Sequence, residues 1–126
     1  MPGFSAISLN NLKGVHPDLV KVANRAIEIT EVDFRVTEGL RTKARQAVLV
    51  SKGASKTMDS RHITGHAIDV AALIGGVVRW DWPLYSKIAD AFKKAAAELG
   101  IKIVWGGDWK TFKDGPHFEL DRSIYK

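Results

Sequence analysis

Three of the four histidines lie in two short polar segments of this 126-residue chain. His62 and His66 occur in SRHITGHAID, and His117 occurs in DGPHFEL. Two histidines four residues apart would share one face of a helix, as in zinc sites of the H-E-x-x-H type. Here position 63 is Ile rather than the Glu used as a base, and Gly65 disfavours a helix. This segment is therefore predicted to be a loop that enters a strand, with His62 at the end of the loop.

Two aspartates are candidates to share a site with these imidazoles. Asp69 lies in an apolar run, and a buried carboxylate is costly unless it is paired, hydrogen-bonded or bound to a metal. Asp114 precedes His117 by three residues, across a Gly-Pro turn. Two histidines and one carboxylate with an open position for water form a recurrent catalytic zinc arrangement, and a further carboxylate can accept the proton of that water. The residues alone leave a second interpretation open, in which Asp69 pairs with an Arg and His117 is a satisfied core residue.

The elements that must position these residues follow from the spacing of apolar side chains. Helical spacing, with a capping residue or a glycine stop at most ends, predicts helices over 17–30, 42–52 and 82–99. Alternation predicts strands over 33–37, 101–105 and 117–120, and two β-prone runs around Gly75-Gly76 predict a hairpin over 67–80. The polar segments 54–61 and 106–116 are predicted loops. This order favours an α+β fold, a small and mainly antiparallel sheet flanked by helices.

Several single residues are predicted to define where helices begin and end. Thr42 and Asp81 stand where a side chain can cap a helix N-terminus, and His16 is expected either to cap the first helix or to be exposed. Gly53 and Gly100 stand where helices stop.

The composition limits the class of protein. With 45% hydrophobic and 26% charged residues, the chain is predicted to form one globular domain over residues 1–126. It contains no cysteine, so disulfides, thiolate ligands and a Cys nucleophile are excluded, and a transition metal must be held by His, Asp or Glu.

The formal net charge of +5 attracts polyanions in general. The basic residues are scattered, with no run longer than Lys93-Lys94, so no nucleic-acid partner is predicted. The longest uncharged apolar stretch, 70–78, is far too short to span a bilayer, so no membrane insertion is predicted. Because the first charged residue is Lys13 and no cationic end precedes an apolar run, we expect no secretory signal peptide.

Three segments resemble one family of enzymes. SRHITGHAID resembles the S-x-H-x-x-G-x-A-x-D motif of the zinc peptidases that include D-alanyl-D-alanine carboxypeptidases and dipeptidases. Within that group, WGGDWKTFKDGPHFEL resembles the C-terminal motif of L-alanyl-D-glutamate endopeptidases from phage endolysins and bacterial wall hydrolases. The segment EGLRT, at 38–42, resembles the family's G-x-R-[ST] connection between a strand and a helix. The matches occur in the expected order and span residues 38–120.

The resemblance implies a role for each matching residue. It implies that His62, Asp69 and His117 bind one zinc ion per chain at the sheet, and that Asp114 is the general base. The D-Ala-D-Ala enzymes have Glu at this last position, whereas the endopeptidase branch accepts Asp. Arg41 matches the arginine that holds the substrate carbonyl or the oxyanion; from the residues alone it could instead form a salt bridge to Asp69 or Glu38. Structural or supporting roles are implied for Ser60, Gly65, Gln46, Asp108 and Glu119.

Two further predictions concern residues near these motifs. His66 occupies a variable position of its motif and is expected not to be a ligand. Trp105 and Trp109 could line a substrate groove, although Trp105 continues an alternating strand and is better explained as a core residue.

The function implied by the resemblance is zinc-dependent hydrolysis of L-alanyl-D-glutamate bonds in peptidoglycan stem peptides, by a phage lysis enzyme. Such an enzyme would be made in the host cytoplasm, act on the wall after release, and work as a monomer. One alternative is a D,D-carboxypeptidase or dipeptidase. Another is a zinc-stabilised wall-binding module that performs no catalysis and therefore does not need Asp114.

Overall fold

The computed structural model describes residues 4–53, 60–111 and 113–125. Its helices are α1 (Ala6–Asn11), α2 (Pro17–Ile29), α3 (Lys43–Ser51) and α4 (Trp82–Leu99), with a short 3₁₀ turn over Gly106–Asp108. Its strands are β1 (Asp33–Glu38), β2 (Ala67–Ile74), β3 (Val77–Arg79), β4 (Ile103–Trp105) and β5 (His117–Leu120). None of the described helices is both long and apolar enough to cross a membrane.

The strands form one antiparallel sheet in the order β1-β2-β5-β4, with β3 also paired to β2. The register places Asp69 of β2 opposite Glu38 on one side and His117 on the other. An irregularity between Val36 and Glu38 shifts the β1 register by one residue at this point. Such a bulge redirects the side chains that follow it. The sheet therefore brings three of the polar candidate residues to one place.

The core lies between the sheet and the two long helices. On α2 the fully buried residues include Leu19 and Val22, and on α4 they include Ile88 and Phe92. The ring of Phe92 stacks on that of Phe118 in β5 at a centroid distance of 3.9 Å. Burying each such side chain contributes about 1.5–3 kcal/mol. This packing fixes β5, and with it His117, from the face opposite the site.

The helix ends agree with the predicted capping residues except at Asp81. The Thr42 hydroxyl accepts a hydrogen bond from the Arg45 amide at 3.1 Å, and His16 Nδ1 accepts one from the Asp18 backbone amide at 3.1 Å. Asp81 stands at the N-cap of α4 but makes no capping bond. Its carboxylate instead bonds the exposed guanidinium of Arg79 at 2.6 Å, so the prediction that Asp81 caps the helix is wrong.

Helix α1 was not predicted, because six residues are too few to show a helical period. It is held against the edge of the sheet by polar contacts. The Ser8 hydroxyl accepts a hydrogen bond from the Val36 amide at 2.9 Å, and Asn11 donates to the Val36 carbonyl at 2.9 Å. These two hydrogen bonds satisfy the backbone amide and carbonyl of Val36, which a further strand paired with β1 would otherwise satisfy.

The other predicted bounds differ little from the structure. Helix α2 ends at Ile29 rather than Thr30, and β4 begins at Ile103 rather than Ile101. Most of the predicted loop 54–61 lies outside the described residues, which include only its last two positions.

Candidate active site

Two imidazoles converge on one carboxylate at the centre of the sheet. His62 lies in the loop before β2, Asp69 lies in β2, and His117 begins β5. Asp69 Oδ1 lies 3.3 Å from His62 Nε2 and 3.2 Å from His117 Nδ1. One ligand atom from each residue lies within 4.8 Å of the others, so the three residues could hold a metal ion. Among the described residues, no other group of three or more His, Asp or Glu side chains meets this condition.

The ring nitrogens that face away from this centre are also engaged. His62 Nδ1 lies 2.9 Å from the Gly39 carbonyl, and His117 Nε2 lies 2.9 Å from Glu119 Oε1. Glu119 is buried, and its carboxylate accepts a further hydrogen bond from Arg122 Nε at 3.1 Å. Acceptors placed behind an imidazole fix its orientation and tautomer in metal sites. Both rings therefore present their remaining nitrogen towards Asp69.

The electrostatics of the centre favour a bound positive charge. Burial opposes ionisation of Asp69, yet hydrogen bonds from His117 and His62 outweigh it and hold the pKa of Asp69 well below its usual range. Burial also opposes the charged form of His117, but its bonds to Asp69 and Glu119 raise the pKa of His117 to about 9. Two imidazole nitrogens and one carboxylate oxygen are a donor set that suits zinc and leaves a coordination position open. The residues present therefore fit a metal ion.

Arg41 lies at the edge of the same centre with its side chain only 7% exposed. Its Nε and Nη2 donate to the two carboxylate oxygens of Glu38 at 2.7 and 2.8 Å, and Nη1 donates to Gln46 Oε1 at 2.7 Å. Nη2 also lies 3.7 Å from Asp69 Oδ2. Both salt bridges considered from the sequence are thus present, and they hold the guanidinium in a fixed position beside the candidate ligands.

Asp114 reaches the site from the loop before β5. Its amide donates to the Gly106 carbonyl at 3.0 Å, and its own carbonyl accepts a bond from the His117 amide at 3.2 Å. A Cβ atom at Gly106 would lie 2.4 Å from the Asp114 carbonyl oxygen, so only glycine permits this approach. Burial and the nearby charge of Asp69 raise the pKa of the Asp114 carboxyl. A carboxylate with a raised pKa is a better proton acceptor near neutral pH.

These groups line one cavity of about 260 Å³. The ring of Trp109 lies 5.0 Å from that of His117, at the border of the cavity, as expected for a groove residue. Trp105 is buried and donates from Nε1 to the Gly115 carbonyl at 2.7 Å, which agrees with its core assignment. The lining residues are Glu38, Arg41, Leu49, Ser60, His62, Asp69, Trp109, Asp114 and His117.

His66 lies outside this group. Its Nδ1 contacts the Thr64 hydroxyl at 2.6 Å, and its ring lies 5.4 Å from that of His16. Burial, Arg61 and His16 lower the pKa of His66. The structure therefore separates the two histidines of SRHITGHAID.

The remaining motif residues take different positions. Gln46 contacts Arg41, and Glu119 contacts His117, so both touch candidate site residues. Asp108 bonds Lys93 at 2.8 Å on the surface. Leu49 lines the cavity but was not predicted, because an apolar residue on a helix gives no chemical signal.

The small antiparallel sheet joins a histidine-aspartate centre to a half-buried carboxylate and a fixed arginine. This is the architecture of a metal-dependent hydrolase. The family model of phage L-alanyl-D-glutamate peptidases matches residues 3–125, and the chain belongs to this family.

Two close relatives agree with this assignment. The chain is 40% identical over 126 residues to the L-alanyl-D-glutamate peptidase of Escherichia phage T5, covering 97% of this chain and 91% of the relative. The crystal structure of the Serratia marcescens L-Ala D-Glu endopeptidase ChiX superposes with a TM-score of 0.92 at 54% identity, covering 97% of this chain and 92% of that one. The resemblance found in the sequence is confirmed.

A more distant structure supports the fold alone. The vancomycin-resistance D,D-dipeptidase VanXYg matches with a TM-score of 0.55 at 19% identity, covering 84% of this chain and 50% of that one. The predicted α+β fold with a metallopeptidase-like sheet is therefore confirmed.

Proposed function

We propose that this protein is a zinc-dependent endopeptidase that hydrolyses the L-alanyl-D-glutamate bond of peptidoglycan stem peptides, as a phage lysis enzyme. The convergence of His62, Asp69 and His117 on a cavity shared with Asp114 and Arg41 carries this proposal. Membership of a family of L-alanyl-D-glutamate peptidases supports the choice of bond.

One zinc ion per chain would be held by His62 Nε2, His117 Nδ1 and the Asp69 carboxylate. These are the atoms that face one another, whereas the other ring nitrogens are bonded to Gly39 and Glu119. When bound, zinc acidifies a water molecule and polarises a carbonyl oxygen.

Asp114 is proposed to move the proton. Its carboxylate lines the cavity that the ligands line, and its raised pKa suits it to accept the proton of the attacking water. The same carboxyl then donates that proton to the leaving amine, which restores the carboxylate. This role distinguishes an enzyme from a zinc-stabilised binding module.

Arg41 is proposed to stabilise the negative charge that develops on the carbonyl oxygen of the scissile bond. A guanidinium carries five N–H donors, and Glu38 and Gln46 engage three of those of Arg41. Within the described part of the chain, Nη2 lies 3.7 Å from Asp69 Oδ2, which is beyond hydrogen-bond distance, so the two other N–H groups are placed to bond a substrate oxygen. A donor that is already fixed does not need to reorganise during the reaction.

We further propose that residues 1–126 act as one catalytic domain and as a monomer, with stem peptides as partner and no nucleic acid or membrane insertion. The protein would be made in the host cytoplasm and would act on the wall after release. The net charge of +5 supports attraction to an anionic wall.

Digestion of purified peptidoglycan, followed by mass analysis of the new termini, tests the proposal. New amino-terminal D-glutamate is the expected product. Released D-alanine would instead identify a D,D-carboxypeptidase or dipeptidase; the more distant structure VanXYg is named a D,D-dipeptidase. A parallel digest with Asp114→Ala is the control: if neither protein cuts the wall while both bind zinc and the wall equally, the protein is a binding module, whereas equal cutting by both would remove Asp114 as the proton acceptor.

A further inference from the structure

Two tryptophans are unusually exposed where β3 meets α4. Trp80 is 64% exposed and Trp82 is 46% exposed, and only Asp81 separates them in the chain. Large aromatic side chains left in contact with water form an apolar patch, and patches of this kind commonly mark binding sites. Neither ring lines the cavity that contains the candidate ligands.

This aromatic surface, Trp80 and Trp82, adjoins the active site through one loop. A Cβ atom on Gly115 would lie 3.2 Å from Trp82 Cζ3 and 3.3 Å from Tyr85 Cβ. Gly115 directly follows Asp114, which lines the cavity. Trp82 therefore packs against the backbone of the loop that carries Asp114.

The rings are held in place before any ligand binds. Trp80 stacks on Tyr85 at a centroid distance of 6.0 Å with an interplanar angle of 5°. Tyr85 is itself buried, and its hydroxyl donates to the Arg79 carbonyl at 2.8 Å and accepts from the Ala72 amide at 3.1 Å. One face of Trp80 is thus supported while the rest of the ring is open to solvent. A prearranged ring loses little conformational entropy on binding.

Charged side chains flank the two rings. Arg79 and Asp81 are each about half exposed, and they pair at 2.6 Å. Flat apolar rings beside exposed hydrogen-bonding groups match a sugar, which has an apolar C–H face and a polar hydroxyl edge. An exposed carboxylate next to Trp80 is a poor match for an anionic lipid surface.

We propose that Trp80 and Trp82 bind the amino-sugar strand of peptidoglycan while the stem peptide occupies the cavity. This inference rests on the proposed function. In peptidoglycan the amino group of L-alanine is joined through a lactyl ether to an N-acetylated amino sugar. The bond that is cut is therefore one residue from the glycan, and a sugar must lie beside the cavity when the peptide is in it.

The test compares two substrates that contain the same L-Ala-D-Glu peptide, one free and one attached to its disaccharide. For Trp80→Ala we expect kcat/KM on the sugar-bearing substrate to fall about tenfold, mainly through KM, the size expected for loss of one aromatic stacking contact. On the free peptide the value should change less than about twofold, within the spread of ordinary surface substitutions. Val77→Ala is the matched control, because Val77 is an equally exposed apolar residue that begins β3, three residues before Trp80.

Equal losses on the two substrates would overturn the inference, since Trp80 would then act only by supporting Tyr85 and the Asp114 loop. No loss on either substrate would also overturn it. Trp80→Ala could also abolish binding to vesicles of phosphatidylethanolamine and phosphatidylglycerol while kcat/KM changes equally on the two substrates. In that case the surface binds membrane instead of glycan.

A binding experiment that needs no catalysis separates this inference from the proposed function. Glycan strands stripped of stem peptides are titrated into the ¹⁵N-labelled protein, and the indole N–H signals of the four tryptophans are followed. We expect the Trp80 and Trp82 signals to shift, and the shifts to be lost in Trp80→Ala. Wild-type protein that binds the strands but cuts neither substrate would refute the proposed function alone, whereas absence of any shift would refute the glycan surface.

Discussion

Two pairs of histidines have similar ring separations but opposite surroundings. The rings of His62 and His117 lie 5.2 Å apart, and those of His16 and His66 lie 5.4 Å apart. The first pair is buried and shares the carboxylate of Asp69, whereas neither ring of the second pair forms an ion pair with a carboxylate of the described residues. The pKa of His117 is accordingly raised to about 9, whereas burial, Arg61 and His16 lower the pKa of His66. Two neighbouring imidazoles alone therefore do not stabilise a positive charge here, whereas the shared carboxylate of Asp69 does.

The largest effect expected is loss of the metal on removal of the shared carboxylate. Asp69→Asn keeps the shape of the side chain but removes its charge, so zinc affinity should fall more than about 100-fold, because even residues that only support a ligand cost about 10–100-fold. His62→Ala and His117→Ala should also lose zinc and activity. Metal content and isothermal titration measure both effects.

The second histidine pair supplies the control for that experiment. His66→Ala and His16→Ala should retain one zinc per chain and near wild-type activity. Loss of zinc from His66→Ala would mean that the separation of the two pairs does not hold in solution.

Asp114 should matter for rate but not for metal binding. Asp114→Asn should lower kcat by about 10²–10⁴, the range typical of a general acid-base group, while zinc content stays at one per chain. Asp114→Glu, which carries the residue of the D-Ala-D-Ala enzymes, should recover part of the rate. Asp108→Asn is the matched control, since Asp108 pairs with Lys93 on the surface. A wild-type kcat in Asp114→Asn would remove Asp114 from the mechanism.

Arg41→Ala should lower kcat by about 10²–10³, as for removal of one donor to a developing oxyanion. The variant should also lose thermal stability, because Arg41 is paired with Glu38 and Gln46. Glu38→Gln breaks the same ion pair and therefore separates the two effects. We expect a similar fall in Tm but a smaller loss of kcat than in Arg41→Ala. Equal kcat losses would show that the pair acts only as a structural element.

The most gradual of the expected effects is the pH dependence of zinc binding. Without metal, His117 is protonated at pH 7 because its pKa is raised to about 9 by Asp69 and Glu119 against burial. Zinc needs the unprotonated nitrogen, so binding displaces this proton, and zinc affinity should rise about tenfold per pH unit between pH 7 and 9.

Calorimetry in buffers of different ionisation enthalpy should detect the released proton. In Glu119→Gln one of the two carboxylates that raise the pKa of His117 is absent, so the rise in affinity should end at a lower pH. An unchanged profile in this variant would contradict the coupling between Glu119 and His117.

The sequence predicted those parts of the structure that local patterns encode. Alternation located β5 and the hairpin, and the motif around His62 and Asp69 indicated residues that the fold brings together. The β1 irregularity beside Glu38 was not predicted, because it depends on pairing with a strand thirty residues away in the chain. The contact between Gly115 and Trp82 likewise arises from tertiary packing, which no local spacing reveals.

The strand order has a consequence for synthesis of the protein. β5 lies between β2 and β4 in the sheet, although it follows both in the chain. A ribosome that has released the chain only as far as β4 has made His62 and Asp69 but neither Asp114 nor His117. Such a nascent chain lacks His117 of the candidate metal group and also Asp114, which is proposed to accept the proton. Under the proposed function, the host cell therefore meets an active hydrolase only after β5 has been made, and chains that terminate before β5 are expected to be inactive towards its wall.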